Sequence, residues 1–401
     1  MAASETAEQR EFRAYCRAWL EENRPPPTAM PLPQAAYEVM TEDHRSYLVD
    51  WQNKCYEAQL IATDVSKEYG GHGHHGFQQI ASTEVRRANV PYFINWIGLG
   101  MAAPTLLIHG TEAQRKTYLP PIFSGEDIWC QGFSEPGAGS DLAGLQTSAV
   151  KDGDNWIVNG SKVWTSLGHF ARWMLLLART DKSDKYNGIT YFIGPMEHEG
   201  VTVQPIHKMT GESGFNEVFL EDVVVPDHMR IDAVGTGWKV AMSTLTSERG
   251  AAQGVGAVAT SESPFAAIES LIQLAKTKKR NGRLIWDDPV WRDKLMKLYE
   301  RTEASTQNFR RARVDALNGG AMRIPLQGKL TGSELGQELH QVALSILGQE
   351  ASLYIGDDNS EENGRWALGY MNTYTGTISG GSSEIQRNIL GERVLGLPKT
   401  K

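Results

Sequence analysis

Trp156-Ile157-Val158-Asn159-Gly160-Ser161-Lys162-Val163-Trp164 sets two short apolar runs on either side of an Asn-Gly pair. Asn and Gly tolerate the positive φ angles of a two-residue turn, so the stretch predicts a β-hairpin. Downstream, Met174 to Ala178, Ile189 to Ile193, the alternating Val201-Thr202-Val203 and Val218 to Val225 predict further strands, and Pro226 closes the block. No helical period separates these strands. The consequence is an antiparallel β-domain over residues 128–238, not a Rossmann unit, in which helices and strands alternate.

On both flanks the spacing is helical. Phe12, Tyr15, Cys16, Trp19 and Leu20 fall on one stripe behind Thr6 and Gln9 in capping-box relation, and Pro25-Pro26-Pro27 ends that helix. Residues 43–87 again read as helices, interrupted by Glu68-Tyr69-Gly70-Gly71-His72-Gly73-His74-His75-Gly76. Its three histidines have no acid or cysteine to complete a metal shell, so the segment reads as a loop and no metal is expected. Gly98 to His109 and Glu112 to Leu119 add two more helices, making residues 1–127 all-α. Beyond Trp238 one stripe runs through Leu295, Leu298 and Tyr299, and another through Leu335, Leu339, Val342 and Ile346 behind a capping box at Thr331 and Glu334. Residues 239–401 should therefore form a helical bundle. The class is α+β, in the order α, β, α; amphipathic helical domains in that order would also suit a coat or scaffolding protein.

At 401 residues the chain has room for two or three domains, and 40% hydrophobic with 22% charged residues is an ordinary globular composition. A net charge of −8 argues against a nucleic-acid partner, whose footprint is a basic stripe. The one basic cluster, Lys276, Lys278, Lys279, Arg280 and Arg283, reads as a solvated helix end, with a nucleotide pyrophosphate as its functional alternative. Cys16, Cys55 and Cys130 are spaced for neither metal nor disulfides, which implies a reducing, cytoplasmic setting. The first residues lack a basic start and an apolar core, so no secretory signal is expected, and no apolar run approaches the roughly 18 residues of a membrane span.

The chemistry concentrates in Gln131-Gly132-Phe133-Ser134-Glu135-Pro136-Gly137-Ala138-Gly139-Ser140-Asp141-Leu142. It has neither the Gly-Lys-Ser/Thr of a phosphate loop nor the glycine spacing of a dinucleotide fingerprint. Ser134, Ser140 and closely spaced backbone N–H groups instead offer hydrogen bonds suited to a flat heteroaromatic ring or a pyrophosphate.

That wording strongly resembles the flavin-facing signature of the acyl-CoA dehydrogenase family. The resemblance continues through Trp156 to Ser166, through Phe215-Asn216-Glu217-Val218-Phe219, and into Gly380-Gly381-Ser382-Ser383-Glu384-Ile385-Gln386-Arg387-Asn388-Ile389-Leu390. With Glu68-Tyr69-Gly70-Gly71 it spans nearly the whole chain in family order. It implies FAD, α,β-dehydrogenation of an acyl-CoA thioester to the trans-2-enoyl-CoA in fatty acid or lipid degradation, and transfer of electrons to an electron-transfer flavoprotein. An acyl-CoA oxidase is the nearest rival.

The resemblance also implies roles. Gln131, Phe133 and Ser134 would line one edge of the isoalloxazine, with Trp164, Thr165 and Ser166 on its other side, and Ser140 would lie where the flavin phosphates and the substrate meet. The FAD would be shared between subunits of a dimer or tetramer, the neighbour contributing from Lys278 to Gly282 and from Ser382 to Glu384. Where short- and medium-chain members carry Arg-x-Thr-Phe-Gly, this chain has Lys278-Lys279-Arg280-Asn281-Gly282, which leaves Arg280 as the pyrophosphate candidate. Those members place a glutamate where this chain has Gly380. Isovaleryl- and long-chain types place it earlier, before an arginine, and Thr244-Leu245-Thr246-Ser247-Glu248-Arg249-Gly250 fits that pattern. Glu248 is thus the expected base, with Arg249 beside the substrate. No motif encodes the acyl group.

Overall fold

The computed structural model describes residues 5–33, 35–249, 264–311 and 325–398. The chain divides into two compact units, Met1–Ser261 and Glu262–Lys401.

The first unit begins with helices α1 (Ala7–Glu22), α2 (Glu42–Glu57), α3 (Gln78–Ala88), α4 (Ala103–His109) and α5 (Glu112–Ser124). The Thr6–Gln9 capping box is present, and it fixes the start of α1 by satisfying two of the backbone donors that a helix leaves free. A π-helical turn, Gly98–Ala102, runs directly into α4. Strands β1 (Trp129–Gly132), β2 (Ser148–Asp152), β3 (Asn155–Ser166), β4 (Trp173–Arg179), β5 (Ile189–Pro195), β6 (Val201–Ile206), β7 (Phe215–Pro226) and β8 (Arg230–Ile231) form one sheet in the order β6-β7-β3-β2-β4-β5-β8. Its pairs are antiparallel, except that β1 runs parallel to β4 and β2 meets β4 at a single parallel pair, Ser148 and Arg179. Helix α6 (Gly237–Arg249) closes the unit.

The central strands have no solvated face. Leu175, Leu177, Tyr191 and Ile193 pack into the core shared with the helices, while Met174, Leu176 and Phe192 pack with Trp156 and Val158 on the other side. This double burial explains why β4 and β5 read as unbroken apolar runs.

The hairpin expected at Asn159-Gly160 does not form, because β3 passes straight through. The actual turn lies at Gly153-Asp154, between the paired Asp152 and Asn155, with Gly153 at φ +53° as the first residue of a two-residue loop. Asn159 and Gly160 instead make a bulge against β7, where the register shifts between Val158 and Gly160. The Asn159 amide donates to the Asp222 carboxylate at 2.9 Å and its oxygen accepts the Asp222 N–H at 2.9 Å, holding Asp222 at φ +51°. The positive φ expected at the Asn-Gly pair thus appears on the partner strand as well.

The second unit contains α7 (Pro264–Thr277), a ribbon of β9 (Lys279–Arg280) with β10 (Arg283–Leu284), then α8 (Pro289–Arg311), α9 (Pro325–Leu347), α10 (Arg365–Ile378) and α11 (Ser383–Arg393). Leu295, Leu298, Leu335, Leu339, Val342 and Ile346 all enter its core, whereas Tyr299 stands at the surface. The capping box expected at Thr331 and Glu334 is absent, because α9 already begins at Pro325. Thr331 sits inside the helix, its hydroxyl donating to the Gln327 carbonyl at 3.0 Å, and Glu334 pairs with Arg387. Among the described residues no helix is long and apolar enough to cross a membrane.

Candidate active site

The loop after β1 is shaped by crowding and then by charge. Gly132 has no room for a side chain, since a Cβ there would lie 2.1 Å from Met174 Sδ. Phe133 turns inward, edge-on to Tyr191 with ring centres 5.7 Å apart. The Ser134 carbonyl accepts the Val163 N–H at 2.9 Å, which ties the loop to β3. Glu135 and Ala138 exchange backbone hydrogen bonds of 3.1 and 3.0 Å around Pro136-Gly137.

The Glu135 carboxylate points down into the fold, where it takes the Lys162 ammonium at 2.7 Å and the N–H groups of Gln146 and Thr147 at 2.6 and 2.9 Å. Lys162 has no exposed surface and also donates to the Phe133 carbonyl at 3.3 Å. Burial pushes its ammonium down to about 8 against the pull of Glu135. For Glu135, burial raises the carboxyl, but the Lys162 charge and its hydrogen bonds outweigh it and leave the group below its ordinary value. The sequence pattern marks Lys162 only as a strand residue. Its signal was a charge amid the apolar residues of a central strand, where lysine is found buried only when paired.

On β3 the register shifts again between Lys162 and Thr165, and Trp164 takes φ +62°. The residue is 57% exposed, and its ring meets Phe215 edge-on at 6.0 Å. Thr165 is fully buried; its carbonyl accepts from the Asn216 side chain at 2.9 Å, but its Oγ1 has no hydrogen-bond partner. Ser166 is also buried. The Ser134–Val163 bond therefore joins the segments Gln131–Ser134 and Trp164–Ser166, both named from sequence, while Ser140 lies exposed farther along the loop.

The remaining candidates fall elsewhere. Glu248 and Arg249 are the last two residues of α6, and their side chains lie outside the described residues. Arg280, Ser382 and Glu384 belong to the second unit. Arg280 stacks over the Trp291 ring at 5.0 Å and donates to the Ser345 carbonyl at 2.6 Å, and Lys278 pairs with Glu350 and Glu361. The basic cluster is thus tied into its own unit more than a plain solvated helix end would be. Ser382 caps α11, accepting the Ile385 N–H, with Glu384 in the first turn. Gly380 and Gly381 take φ +61° and +89°, conformations that favour glycine, and Gln386 holds the Gly380 carbonyl at 2.8 Å.

A flavin suits this chemistry. An unpartnered buried hydroxyl at Thr165 beside the exposed Trp164 offers a hydrogen bond and an aromatic surface, which suit a flat heteroaromatic ring with edge nitrogens.

Comparison with known proteins agrees along the whole length. Residues 6–126 match the acyl-CoA dehydrogenase N-terminal domain, 130–223 the middle domain and 235–395 the C-terminal domain. The chain is 36% identical over 398 residues to acyl-CoA dehydrogenase IpdE1 of Mycobacterium tuberculosis, covering 97% of this chain and 98% of that one. It is similar to the solved ChsE4-ChsE5 complex from Mycobacterium tuberculosis, with TM-score 0.79, 29% identity and 100% of both chains covered. It is also similar to a Tcur3481-Tcur3483 steroid ACAD, with TM-score 0.79, 28% identity and 100% coverage of both. The chain belongs to the acyl-CoA dehydrogenase family, the FAD-dependent oxidoreductases that dehydrogenate acyl-CoA thioesters.

Proposed function

We propose that this enzyme converts a bulky, ring-bearing acyl-CoA to its trans-2-enoyl-CoA in the cytoplasm as a step of lipid breakdown, with Glu248 as the base and an electron-transfer flavoprotein as acceptor. The observation that carries the choice of base is the pairing of Glu248-Arg249 at the end of α6 with a glycine at position 380. Gly380 has no side chain to take a proton. The bulky substrate is supported by the steroid ACAD among the similar structures.

In this reading Glu248 removes the α-proton of the thioester as the C=C bond forms, and Arg249 and Ser140 hold the substrate. FAD, when bound, supplies the two-electron acceptor for the hydride that leaves the β-carbon. Gln131, Phe133 and Ser134 would line one edge of its ring, and Trp164, Thr165 and Ser166 would cover the other side, where Thr165 Oγ1 would gain the partner it lacks and water would be excluded. Arg280, Ser382 and Glu384 serve the flavin of a neighbouring subunit, and the neighbour is either a second copy or a homologous chain, a reading supported by the similar ChsE4-ChsE5 complex.

Glu248→Gln keeps shape and hydrogen bonding and removes basicity. FAD content and CoA-thioester affinity should stay at wild-type level while dehydrogenation falls by roughly 100-fold or more. Flavin reduction by the variant at the wild-type rate would overturn the assignment. Rapid peroxide release by the wild type without another acceptor would instead point to an oxidase.

A further inference from the structure

Helix α6 is gripped near its middle by buried hydroxyls that have no part in the chemistry above. Thr244 Oγ1 lies 2.8 Å from Thr105 Oγ1, 3.1 Å from the Tyr191 hydroxyl and 3.2 Å from the Val240 carbonyl. One arrangement satisfies every group: Thr244 donates to Val240 and accepts from Thr105 and Tyr191. All three side chains are buried. Beside them, Ser243 Oγ lies 2.9 Å from His109 Nε2, and His109 Nδ1 faces the Asp232 carboxylate at 3.6 Å. Thr105 and His109 stand four residues apart on α4, just after the π-helical turn Gly98–Ala102. A π turn changes the phase of the residues that follow it, and such turns recur at functional sites.

The apolar neighbours in α6, Val240 and Ala241, contribute burial that is non-directional and lets a helix rotate or slide. Hydrogen bonds to one hydroxyl from α4 and from β5 do not, because their strength falls steeply with distance and angle. We propose that Thr244, held by Thr105 and Tyr191 and seconded by the Ser243–His109 tie, is a positioning residue. It sets the rotation and axial placement of α6, so that Glu248, four residues on, meets the α-carbon of the thioester. The proposal rests on Glu248 being the base.

Full-length holoprotein carrying Thr244→Val, Thr105→Val or Thr244→Ser is titrated with acetoacetyl-CoA across pH. The bound enolate absorbs in the ultraviolet and reports loss of the α-proton without turnover. Thr244→Val and Thr105→Val should bind the probe as wild type does, yet ionise it only at higher pH. Their kcat with any thioester that the wild type oxidises should fall about tenfold or more, since small misplacements of a reacting group are costly. Thr244→Ser should restore both readouts. A Thr244→Val protein that melts earlier but ionises the probe and turns over like wild type overturns the proposal. If the valine variants do not fold, Ser243→Ala leaves the buried hydroxyls in place and tests the second tie: weaker ionisation supports the clamp and unchanged ionisation overturns it. Glu248→Gln separates the two layers. Normal ionisation there removes the base and the clamp with it, whereas an inert Glu248→Gln beside a normal Thr244→Val removes the clamp alone.

Discussion

Lys162 and Glu135 form a pair whose two members are not equivalent. Without Lys162, the carboxylate keeps the N–H groups of Gln146 and Thr147; without a negative charge at 135, the buried ammonium has only neutral acceptors such as the Phe133 carbonyl. In Glu135→Gln, moreover, an NH₂ group must face one of those N–H donors. Breaking a buried pair by removing one partner costs about 3 kcal/mol or more, so Glu135→Gln should lose at least that in denaturant melts, and Lys162→Met less. The pH dependence follows from each shift. The folded Glu135 carboxyl sits below its ordinary 4.5, so its contribution is present above that pH and is lost as pH falls through the lower folded value. The deficit of Glu135→Gln should therefore shrink in acid. Lys162 is held down to about 8, so keeping it charged weakens the fold below that pH, and the penalty is relieved as pH rises from there towards 10.5. Wild type should show that alkaline gain and Lys162→Met should lack it. Equal losses for the two variants at neutral pH would show that the pair is not asymmetric.

At the level of elements, β3 shows what a sequence discloses and what it withholds. Its apolar content correctly announced a strand-rich middle domain, and the strands from Met174 to Val225 stand where their runs put them. The Asn-Gly signal was local and genuine, but the partner strand decided its use: Asp222 takes up the Asn159 amide, and Gly153 makes the turn instead. Thr331 and Glu334 fit a capping spacing, yet α9 had already started, since the spacing cannot reveal where the apolar stripe begins to pack. The wording singles out loop segment 131–134 and strand segment 164–166, which the Ser134–Val163 hydrogen bond brings together, whereas the Glu135–Lys162 pair and the Thr244 clamp depend on strands and helices far apart in sequence. Gly160 supplies a test. It sits at φ +153°, and a Cβ there would lie 2.5 Å from Thr147 Oγ1 and 2.7 Å from Thr147 Cα. Gly160→Ala must displace Thr147, just before β2, whose own N–H is one of the two that hold Glu135, and should cost about 2 kcal/mol or more. A melt indistinguishable from wild type would mean that the bulge yields freely.

For the whole molecule, the residues expected to hold FAD are divided: Gln131 to Ser166 lie in the first unit, and Arg280, Ser382 and Glu384 in the second. The resemblance assigns the second set to a neighbouring chain, and one of the similar structures is the ChsE4-ChsE5 complex. The surface of the second unit offers material for such an assembly. Tyr374 and Ile378 stand four residues apart on α10 and are exposed, Ile378 at 68%, and Leu395 and Leu397 beyond α11 are exposed as well. Exposed apolar residues on one helix face, just before the Gly380–Glu384 motif, suit contact with another subunit of this fold better than contact with water. We expect the holoprotein to be at least a dimer by light scattering. Ile378→Asp, which sets a charge at the C-terminal end of that face while leaving the buried core of its own unit untouched, should lower the mass of the particle. Because the neighbour's Ser382 and Glu384 are proposed to complete each flavin site, the same variant should also lose bound FAD, read from its visible absorbance after gel filtration. A smaller particle that keeps its full flavin content would place the whole site within one chain. An unchanged particle would move the subunit contact to another face.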